Sequence, residues 1–191
     1  MHRQIPNILT VLRLIAAPLV AVILLVSTAP TPALIALIIF AVASATDWLD
    51  GYLARRWQSV SGFGRMLDPI ADKLMVIIIL AALMATPIAN LSLGLAALII
   101  ITREIMVSGL REYMAKMDFI VHVTMAAKMK TTIQLIAIGF LIGTYLFETG
   151  SLYGEMTWWI GMVGIWFAAL LTAQTGIAYF MSAARYLASQ K

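Results

Sequence analysis

The sequence predicts an all-α membrane protein of six transmembrane helices, with the N- and C-termini on the cytoplasmic side. Three observations carry that expectation: the composition, the length of the apolar runs, and the placement of basic residues between them. Of 191 residues, 62% are hydrophobic and 12% are charged, against roughly 25% charged in an ordinary soluble domain. A soluble fold of this size has too little interior to hide so much apolar side chain. The apolar runs approach the roughly 20 residues that a helix needs to cross a bilayer.

Taken in order, the first run extends from Asn7 to Ser27 and ends at Ala29-Pro30-Thr31-Pro32. It is too long for the apolar core of a signal peptide and is followed by no A-x-A site, so it reads as a retained helix. The second run is Ala33 to Arg55, and the third is Gly64 to Ala85, ahead of Pro87. The fourth is Leu91 to Met114, the fifth Ala126 to Phe147, and the sixth Thr157 to Leu187. No repeat or shift in composition divides the chain, so residues 1–191 read as one membrane domain.

The basic residues fall on alternate connections. Arg3 and Arg13 lie in or near the N-terminal segment, and Arg55, Arg56, Arg65 and Lys73 surround the loop between helices two and three. Arg103, Arg111, Lys116, Lys128 and Lys130 surround the loop between four and five, and Arg185 and Lys191 close the chain. The connections near Thr31, Asn90 and Gly150 carry no Lys or Arg. This is the positive-inside pattern of an even helix number with both ends inside. Trp57, Trp158 and Trp159 fall near the expected membrane edges, where indole rings commonly sit. The absence of cysteine excludes disulfides and thiolate metal sites. The net charge of +4 forms no basic stripe with interleaved aromatics, so no nucleic-acid partner is expected.

The informative stretch is Asp47 to Asp72. Asp47, Asp50, Gly51, Ala54 and Arg55 fall at i, i+3, i+4, i+7 and i+8, one face of a helix. Gly64, Asp68 and Asp72 fall at i, i+4 and i+8 of the next helix. A short loop between them predicts antiparallel neighbours, with the four carboxylates converging near the cytoplasmic ends. Four aspartates inserted in a membrane would cost about 10 kcal/mol, and crowding of like charge adds to that. A divalent cation removes both costs. Mg²⁺ and Mn²⁺ prefer oxygen ligands and share them with phosphates. Gly51, Ala54 and Gly64 clear space for a bulky ligand, and Arg55 offers a donor fork that suits a pyrophosphate. Read from these residues alone, a metal-dependent phosphate chemistry and a small cation transporter both remain open. Arg55 among the aspartates, and their position toward one end of the helices, disfavour an ion path at the bilayer midplane.

The spacing D-x2-D-G-x2-A-R-x8-G-x3-D-x3-D, filled by Asp47, Asp50, Gly51, Ala54, Arg55, Gly64, Asp68 and Asp72, resembles the signature of the CDP-alcohol phosphotransferase family. The opening I-P-N-I-L-T-V-L-R from Ile5, the segment T-R-E-I-M-V-S-G-L-R-E-Y-M-A from Thr102, K-M-K-T-T-I-Q from Lys128 and S-A-A-R from Ser182 resemble bacterial members that use glycerol-3-phosphate. The resemblance implies six transmembrane helices in the bacterial inner membrane, a cytoplasm-facing site and a homodimer. It implies transfer of a phosphatidyl group from CDP-diacylglycerol to an alcohol, with release of CMP. Asp47, Asp50, Asp68 and Asp72 would ligate two divalent cations, Mg²⁺ or Mn²⁺, and Asp72 would serve as general base. The CDP would lie along Asp50, Gly51, Ala54, Arg55 and Gly64, with Asn7 and Thr10 at the nucleotide end. Asn7 and Thr10 equally suit helix capping.

The acceptor follows from charge. Arg103 and Arg111 share a face of the fourth helix, and Arg103 interrupts an apolar run, where an arginine marks function by default. With Lys128 and Lys130 they form an expected pocket for a phosphorylated acceptor: glycerol-3-phosphate, which the resemblance favours, or inositol phosphate. Glu104, Ser108 and Glu112 form a polar stripe with no role legible in the sequence. The twelve methionines read as packing residues.

Overall fold

A computed structural model shows six helices: α1 (Ile5–Val26), α2 (Pro30–Trp57), α3 (Gly62–Leu83), α4 (Leu91–Ala115), α5 (Met125–Gly143) and α6 (Leu152–Ser189). A 3-10 turn, Thr144–Leu146, follows α5. The structure describes the backbone of residues 5–57, 62–117 and 125–189, and within these the side chains outside 5–7, 47–57, 62–66, 68–69, 72, 125–128 and 189. All described secondary structure is helical.

Unlike the helices of a soluble bundle, these are apolar on their outer as well as their inner faces. On α1 the stripe Arg13, Ala17, Val20 and Leu24 is buried, while Ile8, Leu12, Ile15, Leu19 and Val22 are exposed. Both stripes follow the 3.6-residue period, so one face packs and the other offers hydrocarbon to lipid. The same holds on α6, where Ile165, Ala168 and Ala169 are fully buried and Val163, Phe167 and Leu170 are exposed. Four segments, Ile8–Val26, Leu91–Ala115, Met129–Leu146 and Leu152–Ala188, are long and apolar enough to cross a membrane. The apolar described parts of α2 and α3 are shorter, Pro30–Thr46 and Lys73–Leu83.

Boundaries differ from the sequence reading chiefly where caps or prolines act. α2 begins at Pro30 rather than Ala33, since a proline in the first turn forfeits no hydrogen bond. α6 begins at Leu152 rather than Thr157 because the Ser151 hydroxyl accepts from Gly154 N at 3.2 Å, an N-cap. Asn90 caps α4 in the same way, accepting from Leu93 N at 2.8 Å. α3 runs on through Pro69, and α1 through Pro18, without a break.

α1 packs against both α2 and α3, while α6 packs against α4 and α5, and α2 meets α5. Direct α2–α3 packing, expected from their short loop, is at most slight among the described residues; both helices lean on α1 instead. One continuous core joins Ala17 and Leu24 of α1, Phe40 of α2, Ile79 and Leu83 of α3, Ile100 of α4, Leu141 of α5 and Ile165 of α6. The closest seam is α5 on α6. A Cβ added at Gly161 would lie 2.8 Å from Leu141 Cγ, and one at Gly164 would lie 2.9 Å from Ala137 Cβ. These glycines therefore let α6 approach α5 of the same chain closely.

Candidate active site

The aspartates sit on backbone that fulfils the helical spacing: Asp47 and Asp50 in the C-terminal half of α2, and Asp68 and Asp72 in the N-terminal half of α3. Gly51, Ala54 and Arg55 continue α2, and Gly64 opens α3. The side chains of Asp47, Asp50, Asp68, Asp72, Ala54 and Arg55 lie outside the described residues, as do those of Asn7 and Lys128. His122 and the segment from Asp118 to Thr124 also fall outside them. The donor set that the two helices carry is all oxygen and anionic, which fits a hard divalent cation rather than a soft one.

The second half of the expected site is described in detail. Lys73, next in sequence to Asp72, donates to Ser108 Oγ on α4 at 2.5 Å. This bond fixes the α4 polar stripe beside the aspartate end of α3. About one turn earlier on α4, Glu104 is buried and accepts from Lys130 Nζ on α5. Glu104 also lies 3.6 Å from Arg103 Nη1. Arg103 Nη2 donates to Thr175 Oγ1 on α6 at 3.0 Å, and that hydroxyl donates back to its own helix carbonyls. Gly176 makes room for the arginine: a Cβ there would stand 2.9 Å from Arg103 Cγ. One polar network thus links α4, α5 and α6, and the Lys73–Ser108 bond joins α4 to α3 at the level of Asp72.

Arg103 and Lys130 share the one carboxylate of Glu104, so two positive charges meet a single negative one. The charges of Arg103 and Lys73 act on Lys130. Among the described residues, Arg103 Nε and Gln134 Oε1 are buried polar atoms with no hydrogen-bond partner. Such groups are rare in folded proteins.

Of the four residues expected to hold an acceptor phosphate, the structure brings Arg103 and Lys130 together around Glu104. Arg111 is exposed on α4, near enough for its charge to act on Arg103. Thr10 and Arg13 are both 1% exposed on α1, so Thr10 lies inside the bundle rather than at a free helix start. Of the unassigned stripe, Glu104 and Ser108 gain partners, while Glu112 faces outward. Sequence reasoning missed Gln134, Thr175 and Gly176. Gln134 was within reach, being four residues after Lys130 and so on the same face.

Two hollows are present elsewhere. A cavity of about 690 Å³ opens between the start of α2, Pro87 and the start of α6, lined by Glu148, Glu155, Trp158 and Trp159. It lies at the helix ends opposite the aspartates, so its size does not make it the reaction site. A shallower groove of about 350 Å³ runs between α4 and α6, lined by apolar side chains and Arg103.

The model for a CDP-alcohol phosphatidyltransferase matches residues 3–186. A protein of Cereibacter sphaeroides named CDP-diacylglycerol–glycerol-3-phosphate 3-phosphatidyltransferase is 42% identical, with both chains covered in full. Proteins of the same name from Rickettsia bellii and Haemophilus influenzae are each 36% identical over 96% of this chain, covering 97% and 95% of theirs.

Proposed function

The chain belongs to the CDP-alcohol phosphatidyltransferase family, and from that premise we propose the reaction, the acceptor and the roles of its residues. The enzyme transfers the phosphatidyl group of CDP-diacylglycerol to glycerol-3-phosphate, giving phosphatidylglycerophosphate and CMP. The observation that carries this is the full-length similarity to relatives bearing that name, on a chain that keeps all eight positions of the aspartate pattern.

In this reading Asp72 accepts the proton of the acceptor hydroxyl as its oxygen attacks the β-phosphorus, which bears the diacylglycerol. The new P–O bond forms as the bond to the bridging oxygen breaks, and CMP leaves. Asp47, Asp50, Asp68 and Asp72 would hold two divalent cations, Mg²⁺ or Mn²⁺, which neutralise phosphoryl charge. Gly51, Ala54 and Gly64 let the pyrophosphate approach the backbone, Arg55 donates to it, and Asp50, Asn7 and Thr10 take the cytidine end. Arg103 and Lys130 hold the acceptor phosphate, with Arg111 and Lys128 at its approach. Arg103 and Lys130 share a single carboxylate, Glu104, which supports a phosphorylated acceptor over a neutral one.

In this reading the protein sits in the bacterial inner membrane with its site toward the cytoplasm, as one domain in each half of a homodimer. Exposed apolar stripes on the outer faces of α1 and α6 support the membrane setting. The test is CMP release by purified protein given CDP-diacylglycerol, Mg²⁺ and each acceptor in turn. Turnover with glycerol-3-phosphate is the expected result. Turnover with inositol phosphate or serine and none with glycerol-3-phosphate would overturn the acceptor.

A further inference from the structure

We propose that Glu104 is a positioning residue for the acceptor, holding Arg103 and Lys130 apart and aimed so that both reach one phosphate. This inference rests on the reading of those two cations as acceptor ligands.

Three observations support it. First, Glu104 is only 8% exposed, yet it keeps its place between two cations, accepting from Lys130 Nζ and lying 3.6 Å from Arg103 Nη1. A single carboxylate between two cations cannot neutralise them, so it orders the pair and leaves positive charge over. Second, donors remain for a ligand. An ammonium carries three N–H groups, and Glu104 takes one from Lys130. Arg103 gives Nη2 to Thr175, while its buried Nε has no partner. Third, the far side of Arg103 is also shaped. Thr175 is held by its own helix carbonyls, and Gly176 leaves open the space that the arginine stem occupies. Arg103 is therefore fixed from α4 by Glu104 and from α6 by Thr175 and Gly176. A purely structural pair would not need the second cation.

The experiment measures kcat and KM for each substrate separately on the full chain in lipid–detergent micelles. Glu104→Gln keeps an acceptor for Lys130 but loses the charge that spaces the cations. It should raise the KM for glycerol-3-phosphate about tenfold or more, the worth of one charge-assisted hydrogen bond. The KM for CDP-diacylglycerol and kcat should change little. Gly176→Ala displaces Arg103 without touching Glu104, and should show the same one-sided rise; it carries the test if the first variant does not fold. Equal rises in both KM values, or a loss of thermal stability with both KM values unchanged, would overturn the proposal. So would a fall in the glycerol-3-phosphate KM, which would make Glu104 a competitor for the cations. If the wild type itself releases no CMP with glycerol-3-phosphate, the acceptor reading fails first and the positioning role fails with it.

Discussion

Removing both members of the Glu104–Lys130 pair should cost no more than removing one of them. Lys130 is 4% exposed and Glu104 8%, on helices 26 residues apart in sequence. Removing one member of a buried ion pair typically costs 3–5 kcal/mol, because the other charge is left without a partner. Here each single change should sit near the lower end, about 3 kcal/mol. After Lys130→Met, Glu104 still has Arg103 at 3.6 Å. After Glu104→Gln, an amide oxygen still accepts from Lys130. The double variant Lys130→Met/Glu104→Gln strands neither charge of the pair. Its loss should also be about 3 kcal/mol, rather than the roughly 6 of simple addition, a coupling near the upper end for residues in contact. Equilibrium unfolding in mixed micelles measures all four proteins. A double variant whose loss equals the sum of the singles within about 0.5 kcal/mol would refute the argument. The same double variant separates folding from function: with Lys130 gone, its glycerol-3-phosphate KM should stay raised although its stability is no worse than either single's.

Other changes test other parts of the account. Asp72→Asn should keep most Mn²⁺ binding, read by calorimetry, and lose turnover by about 10²–10⁴-fold, the usual worth of a general base. Near wild-type turnover would remove Asp72 from that role. Gly161→Ala should lower stability by about 1–3 kcal/mol through overpacking, because its Cβ would meet Leu141 at 2.8 Å. Gly164→Ala should be similarly harmful and should be rescued by Ala137→Gly, which removes the atom it strikes; thermal unfolding of the paired variants decides this. Asn90→Ala should cost about 1 kcal/mol by removing the cap of α4, and an unchanged melting temperature would count against that cap.

Much of this molecule is legible in its sequence, because a membrane simplifies the reading. Apolar runs and alternating basic loops fix six helices, and all six are present. The spacing of Asp47 to Asp72 is helical on both α2 and α3, as the period required. What stayed hidden were choices made by single hydrogen bonds or by long-range contacts. Ser151 starts α6 five residues before the apolar run suggested, since one hydroxyl captures an N–H that hydropathy does not register. The stripe Glu104–Ser108 could be seen as a face, but its partners Lys130 and Lys73 come from other helices, and sequence spacing does not tell which helices meet. A short α2–α3 loop suggested direct packing, but it did not tell that, among the described residues, both helices also pack on α1. For Gly161 and Gly164, the sequence does not tell which helix they face. Their partners, Leu141 and Ala137, are known only once α5 lies beside α6.

The central claim is that four aspartates on α2 and α3 are tolerable in a membrane enzyme because divalent cations and a nucleotide diphosphate neutralise them together. Calorimetric titration of Mn²⁺ into the purified protein, with and without CDP-diacylglycerol, addresses it directly. The account predicts about two ions per chain, tighter binding with the liponucleotide present, and loss of that binding in Asp68→Asn. No affinity for manganese or magnesium even beside CDP-diacylglycerol would contradict it.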